Sequence, residues 1–208
     1  MAIAYVGGAE GIGVAEPVSI NYSSTQGNLL VIGCESFATG ATFVVSDNES
    51  QTWTALTRQS QTNHASQVFY KENSAAITSV TCTVTGAGGT NRACIAEYSG
   101  IATSSALRQV AYATSAAGNA PTTGNFTVTD GDLIVGFAFG GGNGLSAGSG
   151  FTMPAELTDG YIGQEYKTNS GTTANVTYGC TWNAWSVTGV AFVPVGITDW
   201  IPKVIMVM

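Results

Sequence analysis

Nucleophilic catalysis needs a Ser, Thr or Cys beside a base, and glycoside cleavage needs two carboxylates a fixed distance apart. The chain has a single histidine, His64, in the polar stretch Gln61-Thr62-Asn63-His64. Ser99-Gly100 and Ser149-Gly150 lack the flanks of a nucleophile elbow. Glu35, Glu97, Glu156 and Glu165 are the carboxylates to weigh, and Glu35 and Glu97 interrupt strong strand patterns. A strand-borne acid pair on one concave sheet face would signal a glycosidase. Two outward, solvated glutamates explain the same letters, so no catalytic residue and no enzyme activity is expected.

Metal and cofactor chemistry is equally thin. Cys34, Cys82, Cys94 and Cys180 form no C-x-x-C pair, so a zinc tetrad would have to be gathered from scattered strands. Each sits in an apolar or Thr-rich strand pattern, and buried free thiols are expected. Asp47, Asn48 and Glu49 offer oxygen ligands to calcium, but the spaced acids and central glycine of a dedicated loop are missing, and a hairpin turn is the plainer reading. Gly140-Gly141-Gly142-Asn143-Gly144 opens onto no helix, which makes it a connection rather than a phosphate cradle. No cofactor is expected. Trp53, Trp182 and Trp185 could stack on sugar rings, the alternative function being a carbohydrate-binding module of a phage tail fibre or surface protein. Trp182 and Trp185 are three residues apart, so on a regular strand they point to opposite faces, and packing at a core or edge is favoured.

The elements that would hold these residues are strands. Runs rich in Val, Ile, Thr, Phe and Tyr alternate with period two over 29–37, 41–46, 52–59, 66–71, 79–85, 92–98, 107–113, 124–129, 133–139, 160–167, 173–180 and 186–194. Gly, Asn, Asp and Ser clusters separate them, as tight reversals require. No dozen residues carry a glycine-free helical stripe, so the fold class is all-β. Two stretches read alike: Gly27-Asn28-Leu29-Leu30-Val31 matches Gly131-Asp132-Leu133-Ile134-Val135, and Tyr70-Lys71 matches Tyr166-Lys167. Val80-Thr81 then answers Val176-Thr177, and Ala93–Ala96 answers Gly189–Phe192. Half-repeats of about 18–100 and 124–195 are expected to build one two-sheet antiparallel, jelly-roll-like sandwich over 17–195. An N-terminal arm (1–16) and a C-terminal arm (196–208) flank it.

With 208 residues, 9% are charged and 44% hydrophobic, and the net charge is −7. That sign opposes binding to nucleic acid or anionic membrane. The N-terminal residues fit neither a secretory signal nor a membrane anchor. A surface coated with Thr, Ser, Asn and Gly instead of charge suits extensive contact with other chains. Ile3, Tyr5 and Val6 are expected to anchor the first arm, and Trp200, Ile201, Val204, Ile205 and Val207 the second. Such an arm is expected to be removable without unfolding the sandwich.

The series Gly27-Asn28-Leu29-Leu30-Val31, then Val45-Ser46-Asp47 ahead of Gln51-Thr52-Trp53-Thr54, then Ala96-Glu97-Tyr98-Ser99-Gly100, resembles a recurrent sandwich module of phage and bacterial surface proteins. That module's pattern is G-D-L-L-V, V-x-D-x-x-G-N-T-W and A-x-E-Y-S-G. The likeness covers residues 18–100 well and 124–195 weakly, and Glu49-Ser50-Gln51 replaces the usual glycine and asparagine. In size, paucity of lysine and terminal arms the chain is similar to tailed-phage capsid decoration (cement) proteins. The resemblance implies a virion structural protein on the capsid exterior, made in the host cytoplasm. It would bind the major capsid protein and itself, as a homo-oligomer with a trimer preferred.

Overall fold

The computed structural model describes residues 2–14, 17–86, 88–140, 144–181 and 184–196. Among them β-branched and aromatic residues at alternate positions form strands, and the one helical element is a 3₁₀ turn, Ala155–Leu157. The first part of the chain holds β1 (Ala4–Val14), β2 (Val18–Asn21), β3 (Leu29–Ser36), β4 (Thr42–Asp47), β5 (Thr54–Ala55), β6 (Gln59–Gln61), β7 (His64–Lys71), β8 (Ser79–Thr85) and β9 (Thr90–Ser99). The second holds β10 (Leu107–Ser115), β11 (Phe126–Thr127), β12 (Leu133–Gly140), β13 (Ser146–Ala147), β14 (Ile162–Thr168), β15 (Thr173–Ala174), β16 (Tyr178–Gly179) and β17 (Trp185–Phe192). All pairings are antiparallel.

The fold is an all-β sandwich. One large sheet runs β1-β9-β3-β7-β5, with β6 also on β7, and the other runs β10-β17-β12-β14. They face each other across a core of Leu29, Val31, Val68, Tyr98, Leu133, Val135, Phe137, Phe139, Val190 and Phe192. Gly33 marks how close they lie: a Cβ there would fall 2.5 Å from the Phe137 ring. Each large sheet is also covered on its other face. The sheet β2-β8-β4 encloses Val18, Ile20, Leu30, Ile32, Phe43 and Val80. The short pairs β11-β15 and β13-β16 enclose Phe126, Ile134, Val176, Tyr178 and Val187. The sandwich is therefore four layers deep. Its inner strands β3, β12 and β17 are buried at every position, so they read as apolar runs rather than half-buried alternation.

The internal repeat is a repeat of topology. The order β1-β9-β3-β7 matches β10-β17-β12-β14 strand for strand. Tyr70 lies opposite Val31, and Tyr166 opposite Val135, as the sequence spacing predicts. Gly27 and Gly131, ahead of the matched strands, both take positive φ, 90° and 86°. The closing strand differs. Val31 pairs with Ala96 and Val135 with Val190, so Ala96 corresponds to Val190, two residues short of the expected match; the even slip preserves every face.

The first arm is the main departure from the sequence reading. Residues 4–14 are β1, paired with β9 from Ala4↔Ser99 to Val14↔Thr90, and they are the first strand of the first half-repeat. Its counterpart β10 was outside the expected second half. Both strands carry a register shift at the same place, Tyr5/Gly7 opposite Tyr98/Glu97 and Leu107/Gln109 opposite Phe192/Ala191. Four glycines in β1 weaken the apolar alternation by which strands are recognised, which is why it reads as a jointed arm. Of the second arm, residues 197–208 lie outside the described residues, as does Trp182.

Candidate functional site

Glu35 and Glu97 sit on neighbouring strands but cannot work together. Directly paired residues share a face, so Glu97, opposite Leu30, faces the outer sheet, while Glu35, opposite Arg92, faces the second large sheet. They are also offset by five residues, about 17 Å along the strands, where a glycosidase pair needs about 5–9.5 Å. Neither is a solvated outward acid: they are 0% and 1% exposed. Glu156 accepts a hydrogen bond from Tyr5 Oη at 2.8 Å. Glu165 is buried and accepts from Gly148 N at 2.7 Å, and desolvation pushes its carboxyl up to about 8.

Between the large sheets lies a polar cluster that the sequence reading missed. His64 opens β7 and is fully buried, not in a solvated loop. Its Nε2 is 3.2 Å from Ser186 Oγ on β17, its Nδ1 is 3.0 Å from Asn63 Oδ1, and Ser186 Oγ lies 2.8 Å from Ser66 Oγ. Burial pushes the imidazole down to about 4, so it is neutral at physiological pH. Glu35 faces the same layer with neither carboxyl oxygen hydrogen-bonded, and desolvation holds its carboxyl well above the ordinary range. At the rim Arg92 Nε meets Asp159 Oδ2 at 2.5 Å, and its guanidinium lies 4.3 Å from the Tyr161 ring centroid and 5.2 Å from that of Phe37. A serine beside a histidine could in principle transfer a proton, yet Ser66, Ser186 and His64 expose no surface to a substrate. The signal that would have revealed the cluster is strand parity: His64 and Ser66 fall in phase with Val68, which faces the inter-sheet core.

The motifs of the resemblance turn out to be fasteners. Glu97 accepts hydrogen bonds from Tyr22 Oη (2.8 Å), Thr25 N (2.9 Å) and Asn28 Nδ2 (2.5 Å), tying the turn before β3 to β9. Asp47 accepts from Glu49 N (2.8 Å), Gln51 N (3.2 Å), Gln51 Nε2 (3.2 Å) and Trp53 Nε1 (2.7 Å). Asn48 Oδ1 accepts from Thr78 N and Ser79 N. The Asp47 and Asn48 oxygens weighed for calcium thus accept from the backbone of nearby turns, and among the described residues no three His, Cys, Asp or Glu side chains are placed to hold a metal ion. Trp53 is 8% and Trp185 7% exposed, each in a core, so neither offers a ring face to a sugar; burial of the indole in the Asp47 turn is the reason for Trp53. None of the four cysteines is in a disulfide; Cys34, Cys82 and Cys94 are buried and Cys180 is half-buried. A depression of about 250 Å³ between Asn28 and Val195 carries no acid, base or thiol in its lining.

A few large apolar side chains remain exposed, three of them on β1. Ile3 and Tyr5 pack on the protein's own inter-sheet core, Tyr5 stacked at 5.2 Å on Tyr166, while Val6 stays 47% exposed. Ile12 (57%) and Val14 (69%) continue the exposed apolar side chains of β1, the terminal strand of its sheet. Glu10 is the single charge on that strand. The corresponding strand β10 carries Arg108 where β1 has Val6, and Arg108 Nε lies 2.6 Å from Asp132 Oδ2. No protein-family model matches the chain, and no curated protein matches it. No helix among the described residues is long and apolar enough to cross a membrane.

Proposed function

We propose that the protein is a virion structural protein, a capsid decoration protein that binds the major capsid protein shell from outside, as a homo-oligomer, and stabilises it without doing chemistry. The observation that carries this reading is the disposition of polarity. Glu35, Glu97, Glu165, Ser66, Ser186 and His64 are buried inside the protein, whereas the long edge strand β1 shows valine and isoleucine to solvent. Protein surfaces normally guard such an edge with charge, proline or a cover, and an unguarded one is a pairing surface. The resemblance of the Asn28, Asp47–Trp53 and Glu97 motifs to those of phage surface modules points the same way, since here they secure a rigid body rather than a site.

Stabilisation by such a protein is mass action: binding one form of the shell and not another favours the bound form, by about 2.7 kcal/mol per site at a hundredfold excess over Kd. Co-sedimentation with shells assembled from the major capsid protein, compact and expanded, tests it. The protein is expected to pellet with expanded shells and to raise their disassembly temperature. Absence from both pellets at tens-of-micromolar protein would overturn the reading.

A further inference from the structure

Cys94 and Tyr98 on β9 meet Gln164 on β14 across the inter-sheet layer, in phase with Ala96 on one side and with Ile162 and Tyr166 on the other. Each of the three is 0% exposed. The Cys94 thiol donates to Gln164 Oε1 at 3.9 Å, and Gln164 Nε2 donates to Tyr98 Oη at 2.8 Å. Burial pushes the thiol and the phenol up, so both keep their hydrogens at neutral pH. A carboxamide in an apolar interior is costly unless its oxygen and both of its N–H bonds are matched. Here a thiol, which is a weak donor, meets the oxygen. The same placement holds a sulfur nucleophile against an acyl carbon, since Cδ of Gln164 lies one C=O bond, about 1.2 Å, from that oxygen. Side chains fixed in this way react as one molecule rather than two.

We propose that Cys94 and Gln164 join without an enzyme as an internal thioester, a covalent bond between the two large sheets and hence between the two half-repeats. Sγ bonds to Cδ while the thiol hydrogen passes to Oε1, giving a tetrahedral carbon. The Cδ–Nε2 bond then breaks. The departing nitrogen takes a proton from Tyr98 Oη, which lies against it, and the phenol is restored by the proton of the tetrahedral hydroxyl as the carbonyl re-forms. One thiol and one carboxamide thus become one thioester and one molecule of ammonia, with no oxidant, no metal and no change of redox state. The product replaces a poorly matched amide by a less polar acyl sulfur, which suits the surrounding core. Water, which would cleave a thioester, is kept out by the same packing that buries all three side chains. The bond goes beyond the decoration reading and does not depend on it.

Mass spectrometry of the denatured full chain tests the bond. The chain is expected to be lighter than its sequence mass, counted with or without Met1, by one ammonia, and one of its four cysteines is expected to resist iodoacetamide. Hydroxylamine should release that thiol, and digestion should leave the fragment carrying Cys94 attached to the fragment carrying Gln164. Gln164→Glu is expected to keep its full mass and to alkylate at all four cysteines. Full sequence mass with four alkylated thiols, after prolonged incubation of the folded wild type at neutral pH, would overturn the proposal, and that measurement needs no variant. A loss of ammonia that leaves all four thiols open to alkylation would also overturn it, because the loss would then lie at another amide. So would a blocked thiol that persists in Gln164→Glu.

Discussion

Asn28 and Asp132 occupy one place in the two half-repeats, just before the matched strands β3 and β12, and each is held by a different partner. Asn28 donates to Glu97, whereas Ala191, the counterpart of Glu97, has nothing to offer; Asp132 instead accepts from Thr129 N at 2.8 Å and pairs with Arg108. Removing the acceptor should show what the fastener contributes. Glu97→Ala leaves the donors of Tyr22, Thr25 and Asn28 without their shared acceptor and should cost about 2–4 kcal/mol in a urea melt. A loss under about 0.5 kcal/mol would make the contact incidental. The buried titratable groups set the pH profile. Glu165, ordinarily near 4.5 and here near 8, keeps its proton in the fold while the unfolded chain loses it, so its effect on stability declines from about pH 4.5 to about pH 8. His64, ordinarily 6.5 and here near 4, works oppositely: its contribution is fully present above pH 6.5 and is lost as pH falls through about 4. Glu165→Gln should therefore raise the melting temperature at pH 8.5 relative to wild type and change it little at pH 4. An equal shift at both pH values would refute the assignment. Strand parity in the sequence places each glutamate on one face or the other of its own strand, but the register between strands does not follow from either strand alone, so the separation of Glu35 from Glu97 was not legible there.

Strand β1 is where element-scale reasoning and structure part. The long strands β3, β7, β8, β9, β12, β14 and β17 were legible because β-branched, aromatic and other apolar residues recur through them between clusters of turn residues. The expected strand 52–59 shrinks to Thr54–Ala55 because the Trp53 indole is drawn to Asp47, and the expected 173–180 splits where Thr122 and Thr123 bond to Asn175 and Val176. Glycines hid β1, although it lies beside β9, which is buried from Asn91 to Tyr98. An arm could be removed harmlessly, but an edge strand covering a buried neighbour cannot. Deletion of residues 2–14 should lower the melting temperature by more than about 10 °C, followed by circular dichroism. A truncated protein that melts with the wild type would restore the arm reading.

At the scale of the whole molecule, the charge deficit has a second source besides the exterior. With 9% charged and 44% hydrophobic residues, the chain resembles one built to have much inside and little outside. Two large sheets each covered on both faces require that: there is no position in β3, β12 or β17 where a solvated side chain could stand. The all-β class and the repeat were legible because periodicity and spacing are local properties. The depth of layering was not, since it depends on which face meets which.

The shared inter-sheet core also bears on how such a chain could have come about. Val31 and Tyr98 belong to one half and Val135 and Phe192 to the other, so either half alone would present a greasy wall on one side. A lone ancestral unit could hide that wall only against its twin, and fusing the twins in one gene would then make the encounter permanent at high effective concentration.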